Sequence, residues 1–231
     1  MIATAFRIGV AVTSVALAHT AAALEACGEL RNSFGPWDYR AAPKAALENV
    51  ETNHFDTGVE GLAKGVTGSL GGDLSYTLRV FPNHPRALLA MMRLSFKENR
   101  EKPRGSIYTV ECWFDRAVRF TPNDASVRVL YGVYLIRKGD KNEAVTQLKE
   151  AEGLAGDDPN VPYNLGLAYF DLGDYDKALE QAHRAYALGF PLPGLRHKLQ
   201  EAGRWRDPVS SAVGPQQEAA TRDGSLPSKK E

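Results

Sequence analysis

From Ala45 onward, apolar residues recur at three- and four-residue steps, broken at intervals by glycine, proline and charged clusters. This spacing predicts amphipathic helices. Leu47, Val50, His54, Phe55, Val59 and Leu62 make the first stripe, and a glycine-rich break from Gly65 to Gly72 ends it. Leu74, Leu78 and Phe81 predict a second helix that stops at Pro82-Asn83. Pro85 suits a first helical position, and Leu88, Leu89, Met91, Met92 and Phe96 follow it on an apolar face. After the charged loop Glu98 to Gly105, Ile107, Val110, Phe114, Ala117 and Val118 line the next helix, which ends at Thr121-Pro122-Asn123-Asp124. These helical stripes, one after another, predict an all-α chain.

Two blocks then align without gaps, Ala125 to Asp158 and Pro159 to Leu192. Gly132 and Gly166, Gly139 and Gly173, Ala144 and Ala178, and Ala151 and Ala185 all stand 34 residues apart. The residue types have physical reasons. Gly132 and Gly166 allow two helices of one unit to approach closely, with Ala144 and Ala178 small on the facing helix. Gly139 and Gly173 suit the left-handed residue that ends a helix. Asp140 and Asp174 can cap the helix that follows, and Asp140 with Glu143 reads as an aspartate form of the capping box. A fixed period of 34 with small residues at these places resembles the tetratricopeptide repeat. The early tryptophan of that family is absent, with Arg128 and Pro162 in its place, and Leu148 and Ala182 replace a later aromatic.

The resemblance implies a short right-handed superhelical solenoid of antiparallel helix pairs with a C-terminal capping helix. Residues 125–158 and 159–192 are then full repeats. Residues 85–124 form a unit with a long inter-helix loop, and 45–84 a degenerate helix pair. Leu195 and Leu199 face inward on an amphipathic segment from Pro193 to Trp205, which fits a capping helix over 193–206. Residues 24–44 read as an irregular segment that covers the first helix, with Gly35-Pro36 as its break and Trp37 and Tyr39 as its bulk. Residues 207–231 are polar, with Pro208, Pro215 and Pro227, and are expected to be disordered.

Arg7, the uncharged run Ile8 to Ala18 and the small residues Ala21, Ala22 and Ala23 match a secretory signal peptide over 1–23. The expected location is periplasmic or secreted. Cys27 and Cys112 remain after cleavage, and an oxidising compartment would let them pair; spacing alone leaves open two free thiols. Leu24-Glu25-Ala26-Cys27 also resembles a lipoprotein processing site, although Glu25 fits it poorly. Membrane attachment is expected only if Cys27 is lipidated.

The charge balance narrows partners. The chain has 28 basic and 28 acidic residues, and without Arg7 the basic count falls to 27. Nucleic-acid binding needs a basic excess that displaces counterions, so no such partner is expected. Catalytic motifs are missing too. The Gly65–Gly72 stretch lacks the Gly-Lys-Ser/Thr ending of a phosphate loop, and Thr67 stands where a nucleophile elbow needs glycine. His54 and His84 could meet, but no further ligand motif supports a metal. No enzyme, cofactor or metal is expected.

What remains is a binding surface. In the tetratricopeptide family the concave face is lined by the first helix of each unit. Carried onto this chain, the resemblance implies Arg86, Leu89, Arg93, Phe96, Lys97, Val133, Ile136, Arg137, Asn160, Tyr163, Asn164, Leu167 and Phe170. Asn164 stands where many members hold a peptide backbone, while Leu130 replaces a polar residue of the family's carboxylate clamp. Leu89, Val133 and Ile136 suit packing between units better than contact with a ligand. Aromatic and basic residues together suit an unidentified protein partner, presented as an extended peptide or helix of acidic character.

Overall fold

The computed structural model describes residues 27–208. The signal-like segment and most of the polar tail lie outside that range. Ten α-helices follow a single 3-10 turn at Tyr39–Ala41 among the described residues. They are α1 (Lys44–His54), α2 (Thr57–Glu60), α3 (Leu70–Val80), α4 (Pro85–Glu98), α5 (Val110–Phe120), α6 (Ala125–Lys138), α7 (Lys141–Leu154), α8 (Asn160–Leu172), α9 (Tyr175–Ala187) and α10 (Gly194–Glu201). Each packs chiefly on its neighbours in sequence, and α4, α6 and α8 also pack side by side. The result is a short all-helical solenoid of the tetratricopeptide type. No described helix is long and apolar enough to cross a membrane.

The tight turns work as their residues suggest. Gly139 and Gly173 adopt φ of 95° and 84°. This left-handed step lets Asp140 N–H reach Leu135 O and Asp174 N–H reach Tyr169 O, both at 2.9 Å, closing the Schellman pattern. Asp140 Oδ1 then accepts the Glu143 N–H at 3.3 Å. The reciprocal half of the capping box is not made, because the Asp140 amide is taken by Leu135 and Glu143 Oε1 accepts from Gln147 Nε2. At Gly132 a Cβ would stand 2.8 Å from Leu148 Cδ2, so α6 and α7 meet closer than a side chain permits. Gly166 is crowded instead by Leu195 of the capping helix and by the Ala178 carbonyl.

Three local expectations change. The stripe over 45–62 is two helices, because Asp56 caps a new one by accepting the Val59 N–H at 2.8 Å, while buried Phe55 fills the corner. Ile107 lies before α5 and is 45% exposed, since Thr109 is the residue that caps the helix. The C-terminal helix stops at Glu201 rather than Trp205, and Gly203 at φ 66° turns the chain back. Leu195 and Leu199 are fully buried, as a capping helix requires.

The segment 27–42 does more than cover α1. Cys27 and Cys112 form a disulfide, which ties the segment to α5. Trp37 N–H donates to Val80 O and Asn32 Nδ2 to Arg79 O, at the end of α3. Asn83 gathers the corner by accepting the Tyr39 N–H and donating to Asp38 and Asp124. Beneath it, Arg116 is 2% exposed with no carboxylate partner among the described residues. Its Nη1 donates to Cys27 O, Gly28 O and Glu29 O at 2.9, 3.2 and 2.8 Å. The guanidinium sits between the rings of Tyr108 and Trp113, 5.0 and 5.6 Å from their centres. Burial pushes the Arg116 pKa down, so the three carbonyls and two ring faces carry the work of holding the charge.

Candidate protein-binding groove

The side-by-side packing of α4, α6 and α8 leaves an open groove of about 390 Å³ across their N-terminal halves. Pro85 and Leu89 form one wall, Val129, Leu130 and Val133 the floor, and Val161 with Asn160 and Asn164 the other wall. Leu89 is 37% exposed, on the same stripe of α4 that leaves Arg86, Arg93 and Phe96 exposed. An apolar floor framed by a few polar groups is the usual make-up of a ligand-binding concavity.

Of the residues implied by the family resemblance, Arg86, Leu89, Val133, Asn160 and Asn164 meet in this groove. The others do not line it. Tyr163 stacks on Phe190 with ring centres 3.8 Å apart, fastening α8 to the turn before α10. Phe170 packs edge-on to Tyr175 and lies under Lys198. Ile136 and Leu167 pack against the core. Phe96 and Arg137 face each other at 5.6 Å at the far end of α4 and α6, and Phe96 borders a separate hollow of about 140 Å³ with Tyr134 and Lys138. Arg93 is exposed on α4. The groove also contains residues outside the implied set: Pro85, Ser126, Val129, Leu130, Asp158 and Val161. The 34-residue period could have found two of them, because Ser126 and Leu130 are the counterparts of Asn160 and Asn164.

The basic character suggested by the sequence is largely spent inside the chain. Arg86 forms a bidentate pair with Glu60 at 2.8 and 2.5 Å and lies 3.6 Å from Glu51. The Glu60 bond raises the Arg86 pKa, and the same bond holds Glu60 below the usual carboxylate range. Lys97 Nζ donates to Leu62 O at 3.0 Å. Asn164 Nδ2 donates to Asn160 O, and Asn160 Nδ2 to Asp158 Oδ1. The floor is therefore apolar, and the Arg86 cation on its wall is matched by carboxylates.

The two histidines considered for chemistry are separate structural devices. His54 Nδ1 meets buried Asp73 Oδ1 at 3.1 Å, with its ring stacked on Tyr76 at 3.9 Å. Asp73 also accepts from Val66 N–H, Thr67 N–H and Thr67 Oγ1, so it folds the glycine-rich loop back onto α3. Burial opposes ionisation of Asp73, but the Thr67 and His54 hydrogen bonds outweigh it and hold its pKa low. His84 is fully buried between Tyr39 and Phe55, with ring centres 4.2 and 4.8 Å away. Its Nδ1 accepts the Ala87 N–H at 3.2 Å and so caps α4. The Nε2 side then carries the proton and faces Glu51 Oε1 at 3.2 Å.

That arrangement makes stability depend on pH. Burial, helped by Arg86, pushes the His84 pKa down to about 3, whereas an exposed histidine titrates near about 6.5. Below about pH 6.5 the unfolded chain takes up a proton that the folded chain refuses. Stability is thus present in full above that pH and falls by about 1.4 kcal/mol per pH unit on the way down. Asp73 adds loss of the same sign, but only below about pH 4, where unfolded aspartate protonates. Urea unfolding between pH 7 and pH 5 should show the slope. His84→Asn keeps a capping side chain and removes the titration, so it should flatten the slope; an unchanged slope in that variant would assign the effect elsewhere.

Comparisons with known proteins fall on the repeat region. Residues 105–185 match the family model of the anaphase-promoting complex, cyclosome, subunit 3. The DnaJ homolog subfamily C member 3 of Mus musculus is 28% identical over 85 residues. That stretch covers 36% of this chain and 17% of the relative's length. Both similarities support tetratricopeptide-type repeats.

Proposed function

We propose that this chain, a tetratricopeptide-repeat protein, is an exported interaction module that holds a peptide or helix of another protein in its concave groove and performs no chemistry of its own. The observation that carries the reading is the open apolar groove shared by α4, α6 and α8, with Leu89 left 37% exposed at its wall. Three consecutive units contribute to one surface, which is how repeat arrays bind extended partners. Repeats of this type are generally protein-binding modules, and the surface detail of this chain would set the partner.

Export is supported by the pattern of Arg7, Ile8 to Ala18 and Ala21 to Ala23. The Cys27–Cys112 disulfide adds to it, since such bonds persist in oxidising compartments. The same bond weighs against a lipid anchor, because it occupies the Cys27 sulfur that a lipid would need. A scaffold role in the cell envelope is the setting we favour.

Leu89→Glu with Val133→Asp puts two charges on the groove surface without touching the Arg86 pair. Cross-linking and co-purification from the envelope fraction should return a reproducible partner with the parent chain, weakened at least about tenfold in the variant, as expected when a buried apolar anchor is lost. Equal recovery by both chains, with unchanged circular dichroism, would rule out the groove as the binding surface.

A further inference from the structure

The groove continues past Ser126, Asp158 and Val161 into a second hollow of about 240 Å³ at the N-terminal ends of α6 and α8. We propose that the groove selects peptides in which an apolar residue is followed or preceded closely by lysine or arginine, the apolar residue seated on Leu89, Leu130 and Val133 and the cation reaching the second hollow. This rests on the reading of the groove as the binding surface, and it reverses the acidic partner that the residue types alone suggest.

Charge complementarity carries the choice. The second hollow is lined by Arg40, Asp124 and the turn from Leu154 to Asp158, which includes Asp157 and Asp158. Arg40 is already engaged, bidentately with Asp38 and at 3.6 Å with Asp124. Its bonding holds Asp38 well below the usual carboxylate range. Asp124 is buried and fully used, accepting from Asn83, Ser126 and Val127. Asp157 and Asp158 differ. Both are exposed, and neither forms an ion pair among the described residues. Asp158 accepts only from Asn160. Arg184 approaches the same loop, but its guanidinium donates to Gly156 O at 2.9 Å and not to an aspartate. Meanwhile Arg86, the cation on the groove wall, is matched by Glu60 and Glu51. Asp157 and Asp158 are the exposed carboxylates at this end of the groove without an ion pair among the described residues, so a cationic side chain gains from entering and an acidic one loses.

The probe is a random heptapeptide library displayed on phage and selected on the immobilised full chain, followed by binding of the enriched peptides made synthetically with a fluorescent label. Enriched peptides should carry an apolar residue within three positions of lysine or arginine, and their affinity should fall by about fivefold in Asp157→Lys, the order expected for a rim charge pair, and fall with added salt. Leu89→Glu should abolish enrichment of these peptides. Enriched peptides without a basic residue, or affinities unchanged in Asp157→Lys, overturn the charge selection while the groove reading survives through the Leu89 variant. Enrichment that persists in Leu89→Glu, or no enrichment on the parent chain, overturns both.

Discussion

Trp113→Ala is expected to lower the unfolding free energy by about 3–5 kcal/mol, the range for emptying a buried tryptophan site. Trp113 is 1% exposed at the inner face of α5. Its indole links α5 to the loop that packs on α3. Nε1 donates to Ser106 Oγ at 3.0 Å, and Ser106 in turn donates to Tyr108 O at 2.8 Å and lies 3.3 Å from Ser75 Oγ on α3. The ring also meets Tyr108 edge-on at 5.1 Å and forms one side of the Arg116 enclosure. Removing it opens a cavity, takes one donor from the Ser106 hydroxyl and strips one ring face from Arg116. Trp113→Phe keeps most of the volume and loses only the hydrogen bond and some ring face, so about 1 kcal/mol is expected. Urea unfolding of both variants measures the difference. A loss under about 1 kcal/mol for Trp113→Ala would mean that the long loop of the 85–124 unit is held without this side chain.

Removing the disulfide comes second. Cys27→Ser with Cys112→Ser is expected to cost about 2–5 kcal/mol, the range for a native disulfide. The bond joins residues 85 apart, and a loop of that length constrains the unfolded chain strongly. The loss should be local in the folded state. Arg116 and Arg119 still hold the carbonyls of 27–29, and the later repeats share no contact with this segment in the core clusters. Amide exchange should therefore quicken over 27–42 while α6 to α9 keep their protection. Uniformly faster exchange across the chain would show instead that the segment is needed for the whole solenoid.

Much of this architecture was legible because it rests on local rules. A left-handed residue must follow a helix that turns tightly, so Gly139 and Gly173 mark their turns in any context. Close helix approach excludes a side chain, so Gly132 and Gly166 are read from the period alone. The capping role of Leu195 and Leu199 follows from helical spacing. The N-terminal half was less legible for a physical reason. Its fastening is long-range: Asn83 to Asp38 and Asp124, Arg116 to the carbonyls of 27–29, and Asp73 to the loop at 66–67. None of these has a period or a motif. A buried arginine and a surface arginine look alike in a sequence.

The groove shows the same division. The family resemblance placed the candidate face on the first helices of the units, and the open apolar groove lies on α4, α6 and α8. Which residues share it depended on the packing angles of α4, α6 and α8, which sent Tyr163 to Phe190 and Phe96 to Arg137 and brought in Ser126, Leu130 and Asp158. The sign of its charge was likewise a tertiary matter. Arg86 counts as a cation in composition, yet Glu60, 26 residues away, pairs with it, while Asp157 and Asp158 form no ion pair among the described residues. Sequence by itself determined the helical pattern and the repeat, since these follow from short-range sterics and hydrophobic spacing. Only the tertiary structure decided which charges survive on that face, because neutralisation is set by distance in space and not along the chain.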